Sequence, residues 1–308
     1  MRACRPVLFV LMVTSVTVST QQAPPAEPRT LVWVDRAGNE QPLGAPARLF
    51  QNPRISPDGR RLAVSVGEQG AEHIWLCDLP ACGNLTQFTK QGTTNDIPVW
   101  TPDGRRVGFY SNMQGGQSAF WQMADGSGTA ERLTPPIGPA NQQIRSWSPN
   151  GQFAAMYHAT PATAGDIWLL RMNDRVEFPF LVTPAIEGAP RYSPDSNWLA
   201  YMSTQSGRPE IYVQELPGAR RVRQVSTDGG IQPIWNPKGG ELFYRNGNRM
   251  MAVPITTGQN FSVGQPQVLF QRQYFTAPVQ QTNPGYDVSL DGQRFLMIKE
   301  VSGQQPTN

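Results

Sequence analysis

The sequence predicts an all-β fold, a six-bladed β-propeller with four-stranded blades. A strand–turn–strand signature recurs six times along the 308-residue chain. Its period falls in the range of about 40–45 residues typical of propeller blades. The last repeat lacks its outer two strands, and a matching half-blade stands at the start of the chain.

The signature reads PRISPDGRRLAV from Pro53, PVWTPDGRRVGF from Pro98, RSWSPNGQFAAM from Arg145, PRYSPDSNWLAY from Pro190, PIWNPKGGELFY from Pro233 and YDVSLDGQRFLM from Tyr286. Its anchor positions, Pro57, Pro102, Pro149, Pro194, Pro237 and Leu290, are 45, 47, 45, 43 and 53 residues apart. Proline pre-sets φ at the first corner of a turn, the Ser, Thr or Asn before it bonds back onto the turn, and glycine supplies a positive φ. Apolar residues flank each turn, so each copy is a hairpin and forms the inner pair of strands. At the fourth and sixth turns Ser196-Asn197 and Leu290 replace the usual Gly and Pro, which is expected to weaken the local turn.

Third strands follow as HIWLCDL from His73, AFWQMAD from Ala119, DIWLLRM from Asp166, EIYVQEL from Glu210 and RMMAVPI from Arg249. Fourth strands are expected to end near Leu85–Thr89, Arg132–Thr134, Phe180–Thr183, Arg223–Ser226 and Pro266–Phe270. TLVWVDRAGNEQPLG, from Thr30, reads as a third and fourth strand with no inner pair before it. It is expected to complete the last blade and close the ring, which removes open sheet edges. No amphipathic helix is evident after residue 30.

Composition agrees with this reading. Glycine and proline number 29 each, and charged residues make up 16% of the chain, against an average of about 25%. The net charge of +3 and the absence of a basic stripe exclude nucleic acid as an expected partner. Arg2 and Arg5, the apolar stretch Val7–Val18 and the small residues Ser19 and Thr20 have the order of a secretory signal peptide. An apolar stretch of 12 residues is too short for a permanent membrane span, which needs about 20. The expected organisation is a signal peptide over 1–20, a flexible spacer over 21–29, the propeller over 30–299 and a disordered tail over 300–308, in an exported, periplasmic or secreted monomer. Cys77 and Cys82, an even pair in an exported chain, are expected to form a disulfide.

The six hairpins resemble those of the TolB-like, WD-repeat-like propellers, from about Thr30 to Lys299. GGELFYRNGNRMMAVPITTG, QPQVLF and YDVSLDGQRFLMIK also resemble the extracytoplasmic propeller module of some bacterial transmembrane serine/threonine kinases. The resemblance implies a sensing or binding module outside the cytoplasm. It does not imply kinase activity, because the Gly-rich loop, the strand lysine, the H-R-D loop and the D-F-G segment are all absent.

Catalytic chemistry finds little support. There is no G-x-S-x-G elbow, so the propeller-bearing serine peptidases are excluded. His73 and His158 lie in different repeats, and no metal-ligand spacing is present. Asp58, Asp103 and Asp195 sit inside turns and are assigned to them. Trp100, Trp147, Tyr192 and Trp235 keep a fixed offset before the turn and are assigned to packing between blades, as are Trp33, Trp75, Trp121 and Trp168. No catalytic residue, cofactor or metal is therefore expected. The remaining candidates are polar residues assigned to the loops entering the inner strands, at one mouth of the central channel: Asn52, Arg54, Asn95, Asp96, Gln142, Arg145, Glu187, Arg191, Gln232 and Asp287. Their mixed charge suits a protein or peptide partner. The alternative is a carbohydrate- or glycan-acting enzyme, with His158 paired to Asp96 or Glu187 in one cavity.

Overall fold

The structure is a computed structural model that describes residues 27–68, 70–135, 141–160, 165–217, 221–276 and 284–301. The expected signal peptide, most of the spacer and the tail beyond 301 lie outside these residues. Every regular element described is a strand.

The chain opens with β1 (Arg29–Asp35) and β2 (Glu40–Pro42). Blade one is β3 (Phe50–Ile55), β4 (Arg61–Val66), β5 (His73–Asp78) and β6 (Thr86–Gln87). Blade two is β7 (Asn95–Trp100), β8 (Arg106–Ser111), β9 (Ser118–Met123) and β10 (Glu131–Arg132). Blade three is β11 (Asn141–Trp147), β12 (Phe153–Ala159), β13 (Asp166–Arg171) and β14 (Val176–Leu181). Blade four is β15 (Glu187–Tyr192), β16 (Trp198–Ser203), β17 (Glu210–Glu215) and β18 (Val222–Gln224). Blade five is β19 (Ile231–Trp235), β20 (Glu241–Asn246) and β21 (Arg249–Thr256), with both β22 (Ser262–Val263) and β23 (Gln267–Gln271) on its outer edge. The last strands are β24 (Tyr286–Val288) and β25 (Arg294–Glu300).

Blade six has the order β2-β1-β25-β24, so the N-terminal strands complete it. β1 pairs antiparallel with β25 in register from Arg29↔Glu300 to Asp35↔Arg294. Glu40 of β2 adds a bond from Lys299 at 2.6 Å and one from the Tyr274 hydroxyl at 2.8 Å. The fold is the expected six-bladed ring.

The hairpin turns hold by local chemistry. Ser56 Oγ donates to Asp58 Oδ1 at 2.6 Å and accepts from Arg61 N at 2.9 Å, while Arg60 N donates to Asp58 Oδ1 at 3.0 Å. The same three bonds recur at the two atypical turns. Ser193 and Asp195 make them at the fourth, and Ser289 and Asp291 at the sixth. Ser196 takes the glycine position with φ of +63°. The expected weakening is therefore not seen, because the serine–aspartate pair fixes the turn and proline only pre-orders it.

The apolar core is divided into six clusters, each between two adjacent blades. Leu62 and Val64 of β4 face blade six, with Leu296 and Ile298, while Ala63 between them faces blade two. Successive side chains of a strand point to opposite faces, and both faces of every blade are covered, so the middle strands read as continuous apolar runs. The aromatics before the turns work across these seams. Trp100 Nε1 donates to Arg54 O and Trp235 Nε1 to Arg191 O, each at 3.0 Å and each onto the preceding blade. Cys77 and Cys82 are disulfide-bonded in the seam between blades six and one.

Candidate functional site

The ten candidate residues belong to the inner strands themselves, not to the loops that lead into them. They separate into three groups, and the reason is a backbone irregularity that repeats around the ring. In blades one, two, four and five the inner strand carries a bulge in which two residues oppose one. Asn52-Pro53, Ile97-Pro98, Ala189-Pro190 and Gln232-Pro233 are the inserted pairs. The first residue of each pair is left-handed, with φ of +49°, +59°, +52° and +58°. Proline has no N–H to give to the ladder and is tolerated at such a place. In blade three the irregularity is a single inserted residue, Arg145. Bulges re-aim side chains and are concentrated beside functional sites.

Before the bulge stand Asn95, Gln142 and Glu187, which are wholly buried. Asn95 accepts from Ser111 Oγ at 2.9 Å and donates to Gln91 O at 2.9 Å. Gln142 accepts from Thr134 Oγ1 at 3.2 Å, and Glu187 accepts from Thr183 Oγ1 at 2.5 Å. These side chains tie each inner strand to the strand or segment beside it. These three side chains are buried and not solvated.

At the bulge, Asn52 Nδ2 donates to Asp96 Oδ1 at 2.8 Å, which links blades one and two. The Gln232 carbonyl accepts the Tyr286 hydroxyl at 2.9 Å, which links blades five and six. Asp96 is half-buried and also accepts from Ile97 N at 2.7 Å.

The third group is Arg54 and Arg191, which follow the bulge, Arg145, the inserted residue of blade three, and Asp287 in the regular pairing of blade six. Arg54 is 5% exposed and Arg145 2%. Arg54 Nη1 donates to Tyr286 O at 3.0 Å, and Arg191 Nη1 to Arg145 O at 2.6 Å, so each reaches back to the preceding blade. Among the described residues Arg145 Nη2 donates only to Gln143 of its own strand, and its guanidinium lies 4.8 Å from the Tyr157 ring. Asp287 accepts from Ile55 N at 2.7 Å and Val288 N at 3.0 Å. Burial lowers all three arginines, Arg145 to about 10. Arg191 is lowered further by Arg54 and Arg145 and is raised by Asp287. Burial also raises Asp287, against the pull of Arg54. Blades one and four are opposite in a ring of six, so Arg54 and Arg191 act on each other across the central axis.

A second polar cluster lies inside blade three. His158 Nε2 is 3.3 Å from Glu177 Oε2, with side chains 4% and 9% exposed. Gln142 Nε2 donates to both Glu177 oxygens at 3.3 Å, and the His158 ring stacks on Trp168 at 5.0 Å. Burial lowers His158 to about 4 and raises Glu177 to about 7. Among the described residues no hydrogen bond or ion pair joins His158 to Asp96 or Glu187, so the pairing expected of a glycan-acting site is not formed. The cavity between the outer strands of blades one and two, about 620 Å³ and lined by Leu76, Phe88, Met113 and Ala130 among others, lies where diverging blades leave space and holds none of these groups.

Sequence reasoning missed Glu177, because Val176–Leu181 reads as an exposed outer strand, and it missed Tyr286, which carried no signal beyond its place in the repeat. Among the described residues no group of three or more His, Cys, Asp or Glu is placed to hold a metal ion.

Comparison with known proteins agrees with the geometry. The TolB β-propeller domain family matches residues 30–165. A TolB homolog of Chlorobium luteolum is 26% identical over 167 residues, 53% of this chain and 36% of that protein. An uncharacterized protein of Agrobacterium fabrum is 24% identical over 197 residues, 64% of this chain and 65% of that one. The chain thus spans less than two thirds of the length of these relatives. A solved structure from Agrobacterium tumefaciens assigned to TolB superposes with a TM-score of 0.72 at 17% identity, over 90% of this chain and 99% of that one. The ring, the repeated turns and these matches agree: residues 30–165 match the TolB β-propeller domain family, and the fold is that of the TolB-like propellers.

Proposed function

We propose that this propeller is a non-catalytic scaffold or sensor module that binds a protein or peptide partner in its central channel. The observation that carries the reading is the bulge repeated in four inner strands. A left-handed non-glycine residue costs roughly 1–3 kcal/mol, and such strain clusters at binding and switch sites. Ile97, a β-branched residue at φ of +59°, is the most unfavourable of the four. A ring that needed only to close would be better served by straight inner strands. The closed seams make the channel a rigid receptor, which keeps the ordering cost of binding low. The apolar Val7–Val18 segment supports export, and the mild net charge supports a partner other than nucleic acid.

The test is selection from a random peptide display library on immobilised protein. Asp96→Cys provides a half-buried thiol at the bulge, and a bulky maleimide on it blocks the channel. Selected peptides are expected to bind the unmodified variant and to be lost after modification. Peptides that remain bound to the blocked protein, or failure to select any, would overturn the reading.

A further inference from the structure

Arg145 makes no contact that the ring requires. Among the described residues the one hydrogen bond of its side chain is to Gln143, two residues away on the same strand, and its Nε and Nη1 are buried without a protein partner. Nε of Arg54 and of Arg191 is in the same condition. Among the described residues no carboxylate lies within ion-pair distance of any of the three. Three guanidiniums, from the inner strands of blades one, three and four, thus lie in electrostatic reach of one another. The acidic groups in electrostatic reach of them are Asp287 and Asp96. Two carboxylates offset at most two of the three charges. At least one positive charge is left over, in a site where an unpaired ion costs several kcal/mol.

We propose that Arg54, Arg145 and Arg191 form a receptor for a carboxylate, presented by an acidic peptide segment that enters the channel. The planar fork of arginine matches a carboxylate, with two parallel N–H bonds. The residual charge fits a monoanion, and the resident Asp287 and Asp96 disfavour a dianionic phosphate. The groups stand on inner strands, Arg54 and Arg191 each fifth of six residues, so only a slender extended chain reaches them. The inference rests on the channel being the binding site and adds the chemistry of what it binds.

Fluorescein-labelled hexapeptides separate the possibilities by anisotropy at low and physiological salt. The probes are hexaglutamate amide, hexaglutamine amide and hexaglutamine with a free C-terminal carboxylate. At least one carboxylate-bearing probe is expected to bind ten-fold or more tightly than hexaglutamine amide. Which one does so distinguishes a side-chain source from a chain terminus. Arg145→Met is expected to weaken that binding at least ten-fold without lowering the melting temperature, whereas Arg60→Met, on an exposed turn, leaves it unchanged. Equal loss with Arg60→Met would mean surface charge alone and would overturn the proposal. So would displacement by inorganic phosphate at far lower concentration than by acetate at matched ionic strength. Equal binding of hexaglutamine amide that is lost on blocking Asp96→Cys refutes the carboxylate receptor and leaves the peptide-binding reading standing. Failure of every peptide to bind refutes both.

Discussion

Replacing Arg145 by methionine should make this protein more stable. The side chain is 2% exposed, and burial holds its pKa near 10, against an ordinary 12.5. At neutral pH it is charged in both the folded and the unfolded chain, so the folded state carries the whole penalty. A shift of that size corresponds to about 3 kcal/mol. Against it stand the bond to Gln143, worth about 1 kcal/mol, and the contact with the Tyr157 ring, worth roughly 1 kcal/mol. Methionine keeps the length and most of the apolar contact of the arginine stem. The balance is a gain of about 1 kcal/mol. For a domain of this size that raises Tm by roughly 2–4 °C, readable by calorimetry at pH 7. A fall in Tm of similar size would refute the reasoning. It would show that the guanidinium is part of the structural frame, and the case for a binding role would lose its physical basis.

Three other outcomes follow from the same geometry. Glu177 has its folded pKa raised to about 7, so its contribution is full below its unfolded value near 4.5 and is lost as pH rises through 7. His158, depressed to about 4, contributes above its unfolded value near 6.5 and loses that contribution as pH falls toward 4. Glu177→Gln is therefore expected to gain on the native protein by up to about 3 kcal/mol between pH 5 and pH 9, and urea midpoints that stay parallel across that range would count against a buried carboxyl. Ala189→Gly relieves a φ of +52° and should lie within about 0.5 kcal/mol of native, whereas Ala200→Gly in the regular strand β16 should cost about 1 kcal/mol more; equal losses in denaturant titrations would mean that the bulge is unstrained. Leu31→Ala, in the first strand, should cost about 2–5 kcal/mol, as much as Leu296→Ala on the paired strand β25 facing the same seam, and a negligible loss for Leu31 would show that the ring closes without β1.

The fold was legible because its information is local. Ser56, Asp58 and Gly59 make a complete turn within a few residues, and six copies of that chemistry count the blades. Even the turn without proline, at Leu290, could be recognised by Ser289 and Asp291. The orientation of the inner-strand side chains was not legible. Strand alternation assigns a face only while the period of two holds, and the inserted pairs at Asn52, Ile97, Ala189 and Gln232 reset it. Asn95, Gln142 and Glu187 are polar residues at strand starts, as rim residues would be, yet their side chains are consumed by Ser111, Thr134 and Thr183. Glu177 lies in β14, which pairs with β13, while its side-chain partners Gln142 and His158 stand on β11 and β12, and a contact at that distance leaves no trace in a local pattern.

The arrangement around the ring separates what closes it from what charges its channel. Counted from the turn, Arg54 and Arg191 share a position with Val99 and Ile234, and blades two and five are complete without a guanidinium there. At the seams that follow Arg54 and Arg191, the bond from Trp100 or Trp235 goes to the arginine's main-chain carbonyl, which any residue would supply. At the seam between blades three and four, Ser146 Oγ donates to Pro190 O at 3.0 Å. The neutral means of joining blades is thus already present in this chain. Arg54 gives both terminal nitrogens to main-chain carbonyls of Pro284 and Tyr286 on the preceding blade, and Arg191 gives one to the Arg145 carbonyl. Arg145 does not contribute even that. A channel that concentrates positive charge beyond what its own carboxylates balance is explained by a ligand that brings the missing negative charge, and less well by the needs of the fold.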